Sequence, residues 1–292
     1  MKRTLAFLTF ALFYIVSFAV GTLFSYFTKD YITNIYLNLF LADVIATVLI
    51  YFSSLIAKNA STYDAYWSLQ SLWLITLAYL VFKVPFHPLH LITIIPFLLW
   101  AIRLTVNWLI TFKGFDWEDF RYRDIKTDHP RIAQLLVFVG IMLIPTCLVY
   151  LGTMPLLHLI QLSEINLITS ILGGVIVLSG TILEMVSDIQ KMKFKGTALP
   201  NQLCEVGLWK FSRHPNYLGE IMIWVGLFIS SVNVFWWPNI FGFALIIFLF
   251  LFISIPMMEK HILKSRPQFA EYKQRVSMLL VLPQRKPKNE TK

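Results

Sequence analysis

Apolar runs of about twenty residues recur along this chain, and they constrain its fold more than any other feature. Of its 292 residues, 57% are hydrophobic and 14% are charged, whereas a soluble domain carries about 25% charged residues. A helical run of about twenty apolar residues is long enough to cross a bilayer. The sequence therefore predicts an all-helical, polytopic membrane bundle with about seven or eight transmembrane helices.

The predicted spans lie at residues 4–28, 31–57, 66–82, 89–111, 132–158, 165–187, 217–236 and 238–258. The first run is too long for the apolar core of a signal peptide and has no clear A-x-A cleavage site, so we interpret it as a retained span. We predict one integral membrane domain over residues 1–282 and a disordered basic tail over residues 283–292.

The positive charges predict an orientation. With a cytoplasmic N-terminus, all but three of the 25 lysines and arginines fall on the inner side, the exceptions being Lys29, Lys83 and Arg103. This asymmetry is what the positive-inside rule expects, and it predicts cytoplasmic N- and C-termini. Topology and anionic lipid account for the net charge of +9. We therefore expect a lipid bilayer and no nucleic acid as partner, and no oligomeric state is predicted.

The segment Gly207–Gly226 concentrates chemically informative residues directly before an apolar run. These residues are Arg213, His214, Asn216, Tyr217 and Glu220. Pro215 fits the first turn of a helix, and a helix N-terminus beside basic side chains suits a phosphate or carboxylate. The alternative interpretation is that the basic residues are only the flank of a membrane span.

Charged residues within spans are costly and therefore indicate function. Arg103 shares a helix face with Asn107 and Thr111. A second stripe follows one helix ridge and consists of Glu184, Asp188, Lys191 and Lys195. An internal ion-pair network is the alternative for this stripe, and a structural hydrogen bond is an equal alternative for Asp43.

Topology places Arg103, this stripe, the Gly207–Gly226 segment and His261 near the cytoplasmic face. Four segments that supply polar groups at one depth predict a walled ligand site. No metal is predicted, because neither Cys147 nor Cys204 has the spacing of a zinc ligand.

Several motifs carry a resemblance to a known family. They are Asp64 with Tyr66-Trp67-Ser68, RLTVNW at 103–108, WEDFRY at 117–122, Glu184 with Ser187-Asp188 and Gln190-Lys191, GLWKFSRHPNYLGE at 207–220 and IWVG at 223–226. At these residues the chain resembles the DUF1295 branch of the steroid 5-alpha-reductase C-terminal superfamily over about residues 40–282. Its similarity to the steroid reductases themselves is weaker and mostly C-terminal.

The resemblance implies an NADPH pocket within the C-terminal helices and hydride transfer to an activated carbon–carbon double bond of an apolar lipid or steroid-like substrate. Its implied cofactor contacts are Asp188, Arg213, Asn216, Tyr217 and Glu220, with His261 as a looser match. Steroid reductases hold the substrate carbonyl with a Tyr and a Glu. Here Asp64, Tyr63 and Tyr66 match by residue type only, so no catalytic residue is assigned.

A second resemblance favours a different cofactor. Isoprenylcysteine carboxyl methyltransferases carry an R-H-P-x-Y-x-G segment, which matches Arg213 to Gly219 and implies S-adenosylmethionine. An NADPH site needs several cations for its phosphates, and Lys191, Lys195, Lys210 and Arg213 supply them, which favours the reductase. A non-enzymatic protein or a transporter fits less well, because the polar groups gather near one face and not at the midplane.

The full set of candidate cofactor-binding residues is Glu184, Asp188, Lys191, Lys195, Arg213, His214, Asn216, Tyr217, Glu220, His261 and Arg103.

Overall fold

The computed structural model describes residues 2–199, 201–233 and 236–285. Its main helices are α1 (Lys2–Thr28), α2 (Ile35–Ala57), α3 (Tyr66–Leu80), α4 (Leu91–Thr111), α5 (Phe120–Asp128), α6 (Ala133–Leu159), α7 (Leu167–Thr197), α8 (Pro215–Ser230), α9 (Pro238–Ser265) and α10 (Phe269–Arg275). The π-helical segments Val137–Leu143 and Leu249–Ser254 lie within α6 and α9. Among these described residues the one bridge between extended segments joins Ser212 and Ser277.

Six of the described helices are long and apolar enough to cross a membrane, namely α1, α2, α4, α6, α7 and α9. The predicted class, a polytopic helical bundle, is confirmed. The predicted spans at 66–82 and 217–236 correspond to shorter helices, because α3 has 15 residues and α8 has 16. Each is shorter than the about twenty residues that cross the hydrocarbon core.

The chain forms two compact units. Unit 1 contains residues 1–91 and 100–165, and unit 2 contains residues 92–99 and 166–292. The single domain over residues 1–282 stays a prediction. Of the predicted tail at 283–292, residues 286–292 lie outside the described part of the chain.

In unit 1 the buried Asp43 carboxylate is satisfied by neutral donors. Tyr66 OH donates to Asp43 Oδ1 over 2.9 Å, and Gln70 Nε2 donates to Oδ2 over 2.9 Å. The Tyr63 hydroxyl lies 2.9 Å from Thr146 Oγ1. A buried carboxylate is costly without such partners, so these contacts support the structural alternative for Asp43.

The loop after α4, also in unit 1, is held by the short helical turn Ala60–Tyr63 and by Asp64. The Ala60 N–H donates to Glu118 Oε1 over 2.7 Å, and Tyr122 OH donates to Asp64 Oδ1 over 2.9 Å. Burial raises the pKa of the Asp64 carboxyl to about 6, against the opposing effect of the Arg121 guanidinium. Asp64 therefore holds the loop that follows α4 in place.

In unit 2, α7 and α8 pack closely along a stripe of glycines. A Cβ on Gly180 would lie 2.5 Å from Gly219 O, and one on Gly173 would lie 2.5 Å from Gly226 O. Small residues allow helices to approach closely in lipid, where packing replaces the hydrophobic effect as the driving force. This close approach fixes the position of α8 against α7.

Replacing Gly180 or Gly219 by alanine should therefore destabilise unit 2. The new methyl group would collide with backbone oxygen, and such overpacking costs about 1–3 kcal/mol. Thermal unfolding in detergent measures the effect. Gly196→Ala is the matched control, because a Cβ there meets nothing within 4 Å. Equal melting temperatures for Gly180→Ala, Gly219→Ala and the wild type would show that the crossing is looser than described.

Candidate functional site

Helix α8 begins at Pro215, as the sequence predicted. The ring of Tyr217 stacks on the His214 imidazole with centroids 5.3 Å apart and an interplanar angle of 8°, and it also packs 5.0 Å from the Phe250 ring. Asn216 is partly buried, and its amide makes no side-chain hydrogen bond with the described residues. The start of α8 thus holds the Tyr217 ring against His214 and Phe250, next to the Asn216 amide.

The Arg213 side chain binds protein groups at two of its nitrogens. Nε donates to Glu259 Oε1 over 2.8 Å, and Nη1 donates to the carbonyls of Lys273 and Val276 over 2.8 Å each. Arg213 is 8% exposed and Glu259 is 3% exposed. Arg213 therefore joins the segment before α8 to α9 and to the end of α10. The contact between Arg213 and a phosphate stays a prediction. Nη2 is the guanidinium nitrogen that is left for such a contact.

His214 and Lys273 complete the surroundings of Glu259. His214 Nε2 lies 3.2 Å from Glu259 Oε1, and Lys273 Nζ lies 2.7 Å from Oε2. Burial lowers the pKa of His214, although Glu259 acts in the opposite direction. The imidazole is therefore neutral at pH 7 and donates from Nε2 to the carboxylate.

Two buried carboxylates flank the crossing of α7 and α8. Glu184 is 5% exposed and lies beside Gly219, whose Cβ would approach Glu184 Cβ to 2.9 Å. Glu220 is 3% exposed, and its Oε1 accepts a hydrogen bond from Trp224 Nε1 over 2.9 Å. Asp188 follows Glu184 by one turn and is partly buried. These acceptors lie on the helices that carry the candidate site.

Three positively charged side chains gather where α7 and α9 end, and we call Lys191, Lys195 and Arg266 the cationic cluster. Lys191 lies within electrostatic range of Lys195, of the Asp188 carboxylate and of Arg266. Its Nζ lies 4.2 Å from the centroid of the Trp209 ring, and Trp209 Nε1 donates to Ser187 O over 2.9 Å, which fixes that ring.

The cationic cluster has no anionic partner within hydrogen-bonding distance in the described part of the chain. None of its three members forms a salt bridge or a side-chain hydrogen bond there, and Arg266 Nε is buried without a hydrogen-bond partner. Leaving a buried charged donor unsatisfied is costly, and like charges at close range repel. An anionic ligand would remove both costs.

Arg266 is not among the candidate residues that the sequence analysis named. Of the predicted site residues, Arg103 lies on α4 in unit 1, while His261 is partly buried on α9 in unit 2. Lys210 is exposed, with Nζ 5.9 Å from the Phe211 ring.

No group of three or more His, Cys, Asp or Glu residues suited to a metal occurs among the residues described.

A family model described as a protein of unknown function, DUF1295, matches residues 50–276. No curated protein and no solved structure matches the chain.

Proposed function

The chain belongs to the DUF1295 family, and we propose that it is a membrane-embedded reductase that uses NADPH to reduce a carbon–carbon double bond in a lipid or steroid-like substrate. The family description carries no activity, so the proposal depends on the chemistry of the chain's own residues.

The cationic cluster is the observation that carries this proposal. NADPH has a pyrophosphate and a 2′-phosphate, which together require several positive charges. The planar guanidinium of Arg266 suits bidentate contact with a phosphate, and Lys191 and Lys195 supply point charges. The buried, unpartnered Nε of Arg266 supports a ligand that completes this group.

Neighbouring residues supply the remaining contacts that a dinucleotide needs. The Asn216 amide can both donate and accept hydrogen bonds, and Tyr217 beside it stays a predicted cofactor contact. Glu184 and Glu220 can accept hydrogen bonds from a carboxamide. NADPH would supply a hydride, while these side chains bind and orient it and the packed helices exclude water.

An S-adenosylmethionine-dependent methyltransferase is the second candidate, and the state of Arg213 favours it. The arginine of the R-H-P segment already binds Glu259 and two carbonyls, so the segment offers a ligand less positive charge than its sequence suggests. S-adenosylmethionine carries no phosphate and needs little such charge. The unpaired cationic cluster outweighs this observation.

We also propose cytoplasmic N- and C-termini. With α3 and α8 also crossing the membrane, as the sequence predicted, this orientation would place Lys191, Lys195 and Arg266 at its cytoplasmic side, where the positive-inside rule expects basic residues. An apolar substrate could then reach the helices from the bilayer while a soluble nucleotide enters from the cytoplasm.

Thermal unfolding of the purified full chain with NADPH, NADH or S-adenosylmethionine tests the choice of cofactor. A ligand that binds only the folded state stabilises it by RT ln(1 + [L]/Kd), about 2.7 kcal/mol at one hundred times Kd. We expect NADPH to raise the melting temperature most. Stabilisation by S-adenosylmethionine alone would replace the reductase proposal with the methyltransferase, and no stabilisation by any of the three would contradict both.

A further inference from the structure

A second basic feature of unit 2 lies beside the end of α9 and does not belong to the cationic cluster. It is a groove of about 590 Å³ between α9 and the end of α10, which we call the basic groove. Its charged rim is formed by Lys260, Lys264 and Lys273, and its apolar lining includes Pro256, Leu263 and Met278. The groove thus combines positive charge with an apolar surface.

Positive charge is in excess in this groove. Glu259 is the acid in its lining, and Arg213 and Lys273 already neutralise that carboxylate at 2.8 Å and 2.7 Å. Lys260 and Lys264 are exposed and form no salt bridge with any residue described. They lie four residues apart and so share one face of α9. Two ammonium groups are therefore available for an external anion.

An exposed apolar strip on α9 leads toward these lysines. Phe248 and Phe252 are 52% and 65% exposed, and their ring centroids are 4.9 Å apart. Pro256 and Lys260 follow at the same four-residue spacing. Because α9 is long and apolar enough to span a membrane, this strip suits acyl chains, and the lysines lie where a headgroup would be.

We propose that the basic groove binds the headgroup phosphate of an anionic phospholipid, with its acyl chains along Phe248 and Phe252. A lysine pair near the membrane surface attracts anionic lipid, and the apolar strip selects a phosphate that is attached to hydrocarbon. Arg213 also lines the groove and is a predicted cofactor contact, but Lys260 and Lys264 are not among the candidate cofactor contacts, so a change at these two lysines tests the lipid proposal alone.

Lipid titration of the full chain in detergent tests the proposal, with thermal unfolding as the readout. Phosphatidylglycerol should raise the melting temperature more than phosphatidylcholine does. In Lys260→Gln/Lys264→Gln the apparent Kd for phosphatidylglycerol should rise about thirtyfold, from the loss of about 1 kcal/mol for each lysine. Both lysines are exposed, so the variant should still fold.

Lys113→Gln/Lys193→Gln is the matched control, because it also removes two exposed lysines but leaves the groove intact. Its response to phosphatidylglycerol should equal that of the wild type. The proposal is overturned if both double variants respond alike, or if phosphatidylcholine stabilises as well as phosphatidylglycerol. Equal stabilisation by inorganic phosphate alone would assign the groove to a soluble anion and also overturn it.

Discussion

Replacing Arg213 by alanine is expected to lower the free energy of unfolding by about 3 kcal/mol. Breaking a buried ion pair costs roughly 3–5 kcal/mol because it leaves a buried charge uncompensated. In Arg213→Ala the Glu259 carboxylate would still pair with Lys273, whose Nζ lies 2.7 Å away. We therefore expect a cost at the lower end of this range. The variant also loses the two hydrogen bonds from Nη1 to the carbonyls of Lys273 and Val276. Thermal unfolding in detergent measures this effect.

The matched control is Lys210→Ala, which removes an exposed basic side chain three residues earlier and should change stability by less than about 0.5 kcal/mol. Limited proteolysis gives a local readout, since residues 266–285 should become accessible in Arg213→Ala. A variant that unfolds like the wild type but binds NADPH more weakly would show that Arg213 acts on the ligand and not on the fold.

The fold class could be predicted from the sequence because a bilayer leaves a spanning segment few options. The lengths of α3 and α8 could not be predicted from the sequence, because an apolar run does not reveal where the helical backbone ends. Residues 231–233, of which Ser231 and Asn233 are polar, lie within the predicted span but form a turn after α8, in which the Ser231 N–H donates to Phe228 O. Hydropathy therefore made the span at 217–236 too long.

The candidate site could be predicted only as far as local periodicity extends. Lys191 and Lys195 lie on one helix, so their spacing indicates a shared face. Arg266 lies on the segment after α9, and its approach to Lys191 depends on how the helices pack. In the same way, no local pattern shows that Glu259, 46 residues from Arg213 in sequence, binds its guanidinium.

Replacing Lys191 and Arg266 together by glutamine is expected to raise the Kd for NADPH about a hundredfold. A hydrogen bond to a charged group contributes about 1.5–3 kcal/mol, which is tenfold or more in Kd for each side chain. The stability of the nucleotide-free variant should stay within about 1 kcal/mol of the wild type, because relief of like-charge repulsion offsets the lost cation–π contact between Lys191 and Trp209. A merely structural role for these residues would instead lower its stability.

Lys193→Gln is the control for this variant. Lys193 lies between Lys191 and Lys195 on α7 and is exposed, so its loss removes one positive charge from the same helix without removing a member of the cationic cluster. We expect its Kd for NADPH to stay within about twofold of the wild type, which matches the small effect of an isolated surface charge.

The most direct test of NADPH binding at the cationic cluster is calorimetric titration of NADPH into the wild type and into Lys191→Gln/Arg266→Gln, side by side in the same detergent. The reductase proposal predicts saturable binding to the wild type and about a hundredfold weaker binding to the variant. Absence of NADPH binding to the folded wild type, or equal affinity for both proteins, would contradict it.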